Sequence, residues 1–125
     1  MAETEKITIN MNVVELGKVD LLVEQGFYSN RTDFIKAAIR SQLSTHHQVI
    51  EQVVHLNSFV VGVSVFSKED LEKLAASNKK VSIKVIGMLV LSEDIGEELA
   101  KKTISSVKVL GVFKATSKVK SLFLE

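Results

Sequence analysis

Lys6-Ile7-Thr8-Ile9-Asn10-Met11 alternates without a break, with Ile7, Ile9 and Met11 on one face and Lys6, Thr8 and Asn10 on the other. A period of two is the pattern of a half-buried strand. The polar face carries one long cation, one hydroxyl and one carboxamide. Such side chains reach groove edges or phosphates, and none is a typical catalytic acid or base. The chain turns helical almost at once, so the strand has no hairpin partner nearby. A lone strand with one apolar face is not stable by itself. The simplest remedy is a second copy of the chain, paired antiparallel about a two-fold axis.

The residues that follow fit that picture. Val13, Leu16, Val19, Leu22 and Val23 recur at helical spacing, and Gly26 is placed to end that helix. The run Phe27-Tyr28-Ser29-Asn30-Arg31-Thr32-Asp33 then opens a second helix. Asn30 is a candidate cap, with Asp33 three residues on completing a reciprocal arrangement close to a capping box; Ser29 is the rival cap. Phe34, Ile35, Ala38, Ile39 and Leu43 form the next apolar stripe, with Lys36 and Arg40 on the outer face.

Taken together, the strand at Lys6–Met11, the helix at Val13–Glu24 and the run from Gly26 through Arg40 resemble a ribbon-helix-helix DNA-binding domain of the CopG/Arc/MetJ group. The likeness covers roughly residues 5–44, and its most specific part is Tyr28-Ser29-Asn30-Arg31-Thr32-Asp33. The resemblance implies an intertwined homodimer whose two strands form one ribbon in the major groove of double-stranded DNA. On that reading Lys6, Thr8 and Asn10 are the base-reading side chains. Ser29, Asn30, Arg31 and Thr32 hold a backbone phosphate, and Ile7, Ile9, Met11, Phe34, Ile35 and Ile39 form the dimer core. The chemistry agrees. A two-stranded ribbon fits the major groove, where each base pair shows a distinct pattern of donors and acceptors. Free amides and the dipole at a helix N-terminus favour an anion. Each residue also has an ordinary reading, as strand surface, local cap or surface cation, and only the combination points to DNA.

Charge argues in the other direction. Residues 1–50 hold five Lys or Arg against six acids, a net of −1, which is not the basic footprint of a DNA binder. Weak non-specific affinity is therefore expected, because that affinity depends on counterion release. Residues 51–125 carry eleven Lys against nine acids, a net of +2.

Composition excludes several classes. The chain of 125 residues has no cysteine, hence no disulfide framework, thiol nucleophile or Cys-ligated zinc. Its polar, acidic start, Met1-Ala2-Glu3-Thr4-Glu5, is unlike a signal peptide. No apolar run approaches the roughly 20 residues of a membrane span. The expectation is a cytoplasmic protein with no membrane role and no cofactor.

Residues 45–57 read as a helical connector, either a continuation of the second helix or a short third one ending at Asn57-Ser58. All three histidines, His46, His47 and His55, lie here. Some ribbon-helix-helix regulators carry a nickel-sensing domain, but His46 and His47 point about 100° apart on a helix. No later histidine completes a set, so no metal site is expected.

Residues 58–125 contain a repeat. Ser82-Ile83-Lys84-Val85-Ile86-Gly87-Met88-Leu89-Val90-Leu91-Ser92 matches Ser106-Val107-Lys108-Val109-Leu110-Gly111-Val112-Phe113-Lys114-Ala115-Thr116 in residue type, 24 positions on. A weaker copy, Val60 to Ser67, lies 25 positions before its counterpart in the Ser82–Ser92 copy. Each is a β-rich segment in which glycine is expected to mark a bend or bulge between two strand pieces. Helix-prone linkers, Ser67–Ser77 and Glu93–Thr103, follow. A fixed period of this length favours a solenoid-like stack over a small α+β domain of βαβ-like pieces. Val119, Leu122, Phe123 and Leu124 would cap the stack or meet another chain. The carboxylates Glu69, Asp70, Glu93, Asp94, Glu97 and Glu98 sit beside lysines in solvated helical stretches, and no catalytic constellation is present.

The fold class expected is thus α+β: a ribbon-helix-helix domain over residues 1–44, the connector, and a repeat domain over 58–125 for assembly to higher homo-oligomers or for binding a protein partner. The functional expectation is a sequence-specific transcriptional regulator, a repressor, and not an enzyme. Two other classes fit less of the chain. One is an antitoxin-like autoregulator whose C-terminal half binds a toxin. The other is an oligomeric scaffold that does not bind DNA.

Overall fold

A computed structural model describes residues 4–124 of the chain. The protein is α+β and separates into two compact units, residues 1–52 and 53–125.

In the first unit, residues 4–12 are neither helical nor paired with another strand of the chain. Helix α1, Val13–Glu24, starts immediately after them because Asn12 caps it. The Asn12 Oδ1 accepts hydrogen bonds from the amides of Val14 at 2.9 Å and Glu15 at 3.2 Å. The helix ends in a Schellman arrangement. Phe27 N–H donates to the Leu22 carbonyl and Gly26 N–H to that of Val23, with Gly26 at φ 88°, where a side chain would be strained. Helix α2, Arg31–Thr45, follows the turn. Helix α3, His47–Asn57, whose residues from Val53 on belong to the second unit, is a separate short helix rather than a continuation of α2, with His46 as the break. Tyr28 and Phe34 meet edge to face with centroids 5.0 Å apart. Val19 is the only fully buried hydrophobic residue described in this unit.

The second unit is a three-stranded, wholly parallel sheet: β1, Val60–Phe66; β2, Val81–Leu91; β3, Ile104–Lys114, in the order β1-β2-β3. Helices α4, Lys68–Ala76, and α5, Glu97–Thr103, return the chain between strands, and α6, Ser117–Ser121, closes it. The core lies between the helices and one face of the sheet. Leu71 of α4, Ala100 of α5 and Val119 of α6 pack on Val85, Leu89 and Leu91. The one buried polar residue described, Thr103, donates from Oγ1 to the Leu99 carbonyl at 2.7 Å.

The repeat is the pairing register. Gly62 lies opposite Gly87, and Gly87 opposite Gly111, so offsets of 25 and 24 residues become neighbouring positions in the sheet. Two expectations are corrected here. The unit is a single βαβαβ layer with helices against one face, not a solenoid-like stack. Nor does glycine divide each copy, since every strand runs through its glycine. The irregularity lies between Val81 and Ser82, where Ser105 is the extra residue on β3 and its Oγ donates to the Val81 carbonyl at 3.2 Å. The glycines serve close approach. All three hold φ between 125° and 136°, and a Cβ on Gly87 or Gly111 would run into the carbonyl oxygen of the glycine beside it. The chain end splits in role: Val119 is buried, Leu122 and Phe123 pack on the core, and Leu124 is exposed.

Candidate nucleic-acid interface

The alternation of the N-terminal segment has an energetic consequence. Lys6, Thr8 and Asn10 are exposed, as polar side chains should be. Ile7 and Ile9, on the opposite face, are also exposed, at 80% and 66%. Met11 is partly covered. Fully burying an isoleucine is worth roughly 1.5–3 kcal/mol, so these two leave a large stabilisation unrealised in one chain. Along the helices Phe34 and Ile35 are half-buried while Ile39 and Leu43 are exposed. Val19 is the only buried hydrophobic residue described in this unit, so within one chain apolar surface at Ile7 and Ile9 and on both helices stays open.

The start of α2 is built from the turn upward. Asn30 is the cap: its Oδ1 accepts the Asp33 amide at 2.8 Å. Asp33 reaches back one residue further than in a capping box, its Oδ2 accepting the Ser29 amide at 2.9 Å. The amides of Arg31 and Thr32 have no acceptor among the described residues. These are the orphan donors of a helix N-terminus, which an anion satisfies.

The Arg31 side chain is engaged elsewhere in the unit. Its Nε and Nη2 donate to Oδ1 and Oδ2 of Asp20 in α1, each at 2.8 Å. The hydrogen bond from Arg31 holds the Asp20 carboxyl below its ordinary range, and the same bond raises the Arg31 guanidinium. Sequence reading missed both this pair and the Asn12 cap. Asn12, directly before an apolar-periodic run, is a signal that was available.

The other titratable clusters gather no such geometry. Among the described residues, no three of His, Asp or Glu are grouped to hold a metal ion. No described helix is long and apolar enough to cross a membrane.

Comparison with known proteins adds one finding. A family model described as the Ribbon-Helix-Helix transcriptional regulator family matches residues 2–120, reaching well past the N-terminal third that carries the strand and helix motifs. No curated protein and no solved structure matches the chain.

Proposed function

The chain belongs to the ribbon-helix-helix transcriptional regulator family, a non-enzymatic family that binds DNA, and from that premise we propose that it is a sequence-specific repressor reading DNA as a dimer. Two copies of residues 6–11 pair antiparallel, and the ribbon enters the major groove with Lys6, Thr8 and Asn10 toward the bases. Asn10 matches the donor and acceptor edge of adenine, Lys6 the acceptors of guanine, and Thr8 a polar edge or a thymine methyl. Ile7, Ile9 and Met11 then join Phe34, Ile35 and Ile39 of the two chains in one core.

The observation that carries the reading is the exposure of Ile7 and Ile9 beside a polar face with no acid on it. A second copy covers the first face and leaves the second free. The phosphate is held at the start of α2, by the Arg31 and Thr32 amides within the turn formed by Ser29 and Asn30. Residues 1–44 contact DNA, residues 45–57 connect, and residues 58–125 serve assembly. A repressor of this kind works in the cytoplasm, where the DNA is.

The test compares the full chain with its Asn10→Ala and Lys6→Ala variants on a DNA site and on single-base variants of that site. Each substitution is expected to remove about 1–3 kcal/mol of discrimination at one base position per half-site. Discrimination that survives both substitutions at every position contradicts the assignment.

A further inference from the structure

The modest net charge of residues 51–125, +2, conceals a separation of charge along the strands. All three strands run parallel, so α4 and α5 each start at the carboxyl end of the sheet and finish at its amino end. The acids gather at the carboxyl end: Glu69 and Asp70 in the first turn of α4, Glu93 and Asp94 after β2, Glu97 and Glu98 in the first turn of α5. At the amino end stand Lys73 in the last turn of α4, Lys79 and Lys80 before β2, and Lys101 and Lys102 in the last turn of α5. All five lysines are exposed. Among the described residues none of them forms an ion pair.

The turn that carries Lys79 and Lys80 is fixed by the end of α4. Asn78 holds φ 54°, its amide donating to the Ala75 carbonyl at 3.0 Å, and the Lys79 amide donates to that of Leu74 at 2.9 Å. This is a Schellman closure with asparagine in the left-handed position. It sets Lys79 and Lys80 on the rim of a depression of about 290 Å³, which Lys102 borders from α5 together with Ala75 and Asn78. Helix dipoles explain part of this charge, since each helix C-terminus presents about half a negative charge. Two such ends offset about one lysine of the five, and Lys79 and Lys80 lie beyond the helix. A surplus of about four positive charges remains on the edge.

We propose that this lysine edge is a second DNA contact, which holds backbone phosphates without regard to sequence. Such a contact deepens the DNA-binding reading and rests on it. The N-terminal residues supply few cations, because residues 1–50 carry a net −1 and Arg31 is paired with Asp20. Affinity from counterion release needs lysine or arginine against phosphate, and the edge provides it. Lysines from two elements border one depression there, so a single anion can be met from both sides. Lysine acts as a point charge rather than a planar fork, which suits phosphates and leaves the bases to Lys6, Thr8 and Asn10. Tethered to the ribbon domain through α3, the edge meets ribbon-bound DNA at raised effective concentration.

The test titrates a random-sequence duplex at salt from about 50 to 200 mM. It compares the full chain with Lys79→Gln/Lys80→Gln and with a control, Lys114→Gln/Lys118→Gln, whose exposed lysines lie at the carboxyl end. Each lysine that meets a phosphate steepens the fall of log affinity with log salt by about 0.9. The edge variant is expected to flatten that slope by about 1.8 if one sheet of a dimer engages and about 3.6 if both do. The control variant keeps the slope of the full chain. An unchanged slope in the edge variant overturns the lysine contact and leaves the ribbon reading standing. Equal flattening by both double variants also overturns it, since net charge then acts without regard to place. Sedimentation of the edge variant supplies a further outcome. Loss of a salt-sensitive higher oligomer, with the DNA slope intact, assigns the lysines to the acidic end of another copy and overturns the DNA contact. A full chain that binds no random duplex at about 50 mM salt overturns it too, while discrimination among single-base variants of a site decides the ribbon reading independently.

Discussion

Arg31 and Asp20 close a two-bond ion pair, Nε to Oδ1 and Nη2 to Oδ2, that ties the first residue of α2 to α1. The cation at the helix start is thereby neutralised by a carboxylate of the same chain. Because both side chains are about half exposed, the pair orients more than it stabilises. It also sets the charge that a phosphate at the α2 N-terminus would meet.

Asp20→Asn is therefore expected to strengthen DNA binding. It removes an acid from a half whose net charge is −1 and frees Arg31 for the backbone. Each added phosphate contact steepens the dependence of log affinity on log salt by about 0.9. Two copies per dimer give a steepening of about 2, read from binding isotherms at several salt concentrations. An unchanged slope shows that Arg31 does not reach DNA once released.

The capping box of α4 supplies a pH test. Ser67 N–H donates to Asp70 Oδ2 at 2.8 Å, and Asp70 N–H to Ser67 Oγ at 3.2 Å. The backbone hydrogen bond from Ser67 is the main cause that lowers the Asp70 carboxyl below its ordinary value. A carboxyl depressed in the folded state contributes stability above its unfolded pKa, about 3.9, and loses it as pH falls through the folded value. Asp70→Asn should thus cost stability near neutral pH, and the cost should fade below about pH 4. Urea midpoints of the two proteins across pH 2–7 check this. Ser67→Ala should cost about 1 kcal/mol at neutral pH.

The glycine row separates two penalties. Gly62→Ala meets open space and suffers only the strained φ of 136°, worth roughly 1–3 kcal/mol. Gly87→Ala and Gly111→Ala add a collision with a neighbouring carbonyl oxygen and should cost more, by about 1–3 kcal/mol each. Equal loss of stability in all three, measured by urea unfolding, would mean that the strands move apart to admit a methyl group.

The sheet was readable as pairing before it was readable as architecture. Gly62, Gly87 and Gly111 mark the register directly, because successive parallel strands place equivalent residues side by side. A solenoid and a βαβαβ layer share that property, so the period alone does not separate them. What separates them is where Leu71, Ala100 and Val119 go, all onto one face, and that is a tertiary fact. The cap at α2 was narrowed to Ser29 or Asn30, since both types accept a helix amide, and the Asp33 amide selects Asn30. The Arg31–Asp20 pair was not readable, because eleven residues and a turn separate two common surface residues. At the N-terminus the alternation itself was the signal, and the exposure of Ile7 and Ile9 is its physical counterpart.

Selection from a random-sequence DNA pool at about 100 mM salt, with the full chain and with Asn10→Ala, tests most directly whether the N-terminal segment reads DNA. The full chain is expected to recover a short palindromic or tandem motif, with one base position per half-site relaxed or the motif lost in the variant. A folded, dimeric chain that enriches no sequence would contradict this and reduce the N-terminal strands to a dimerisation device.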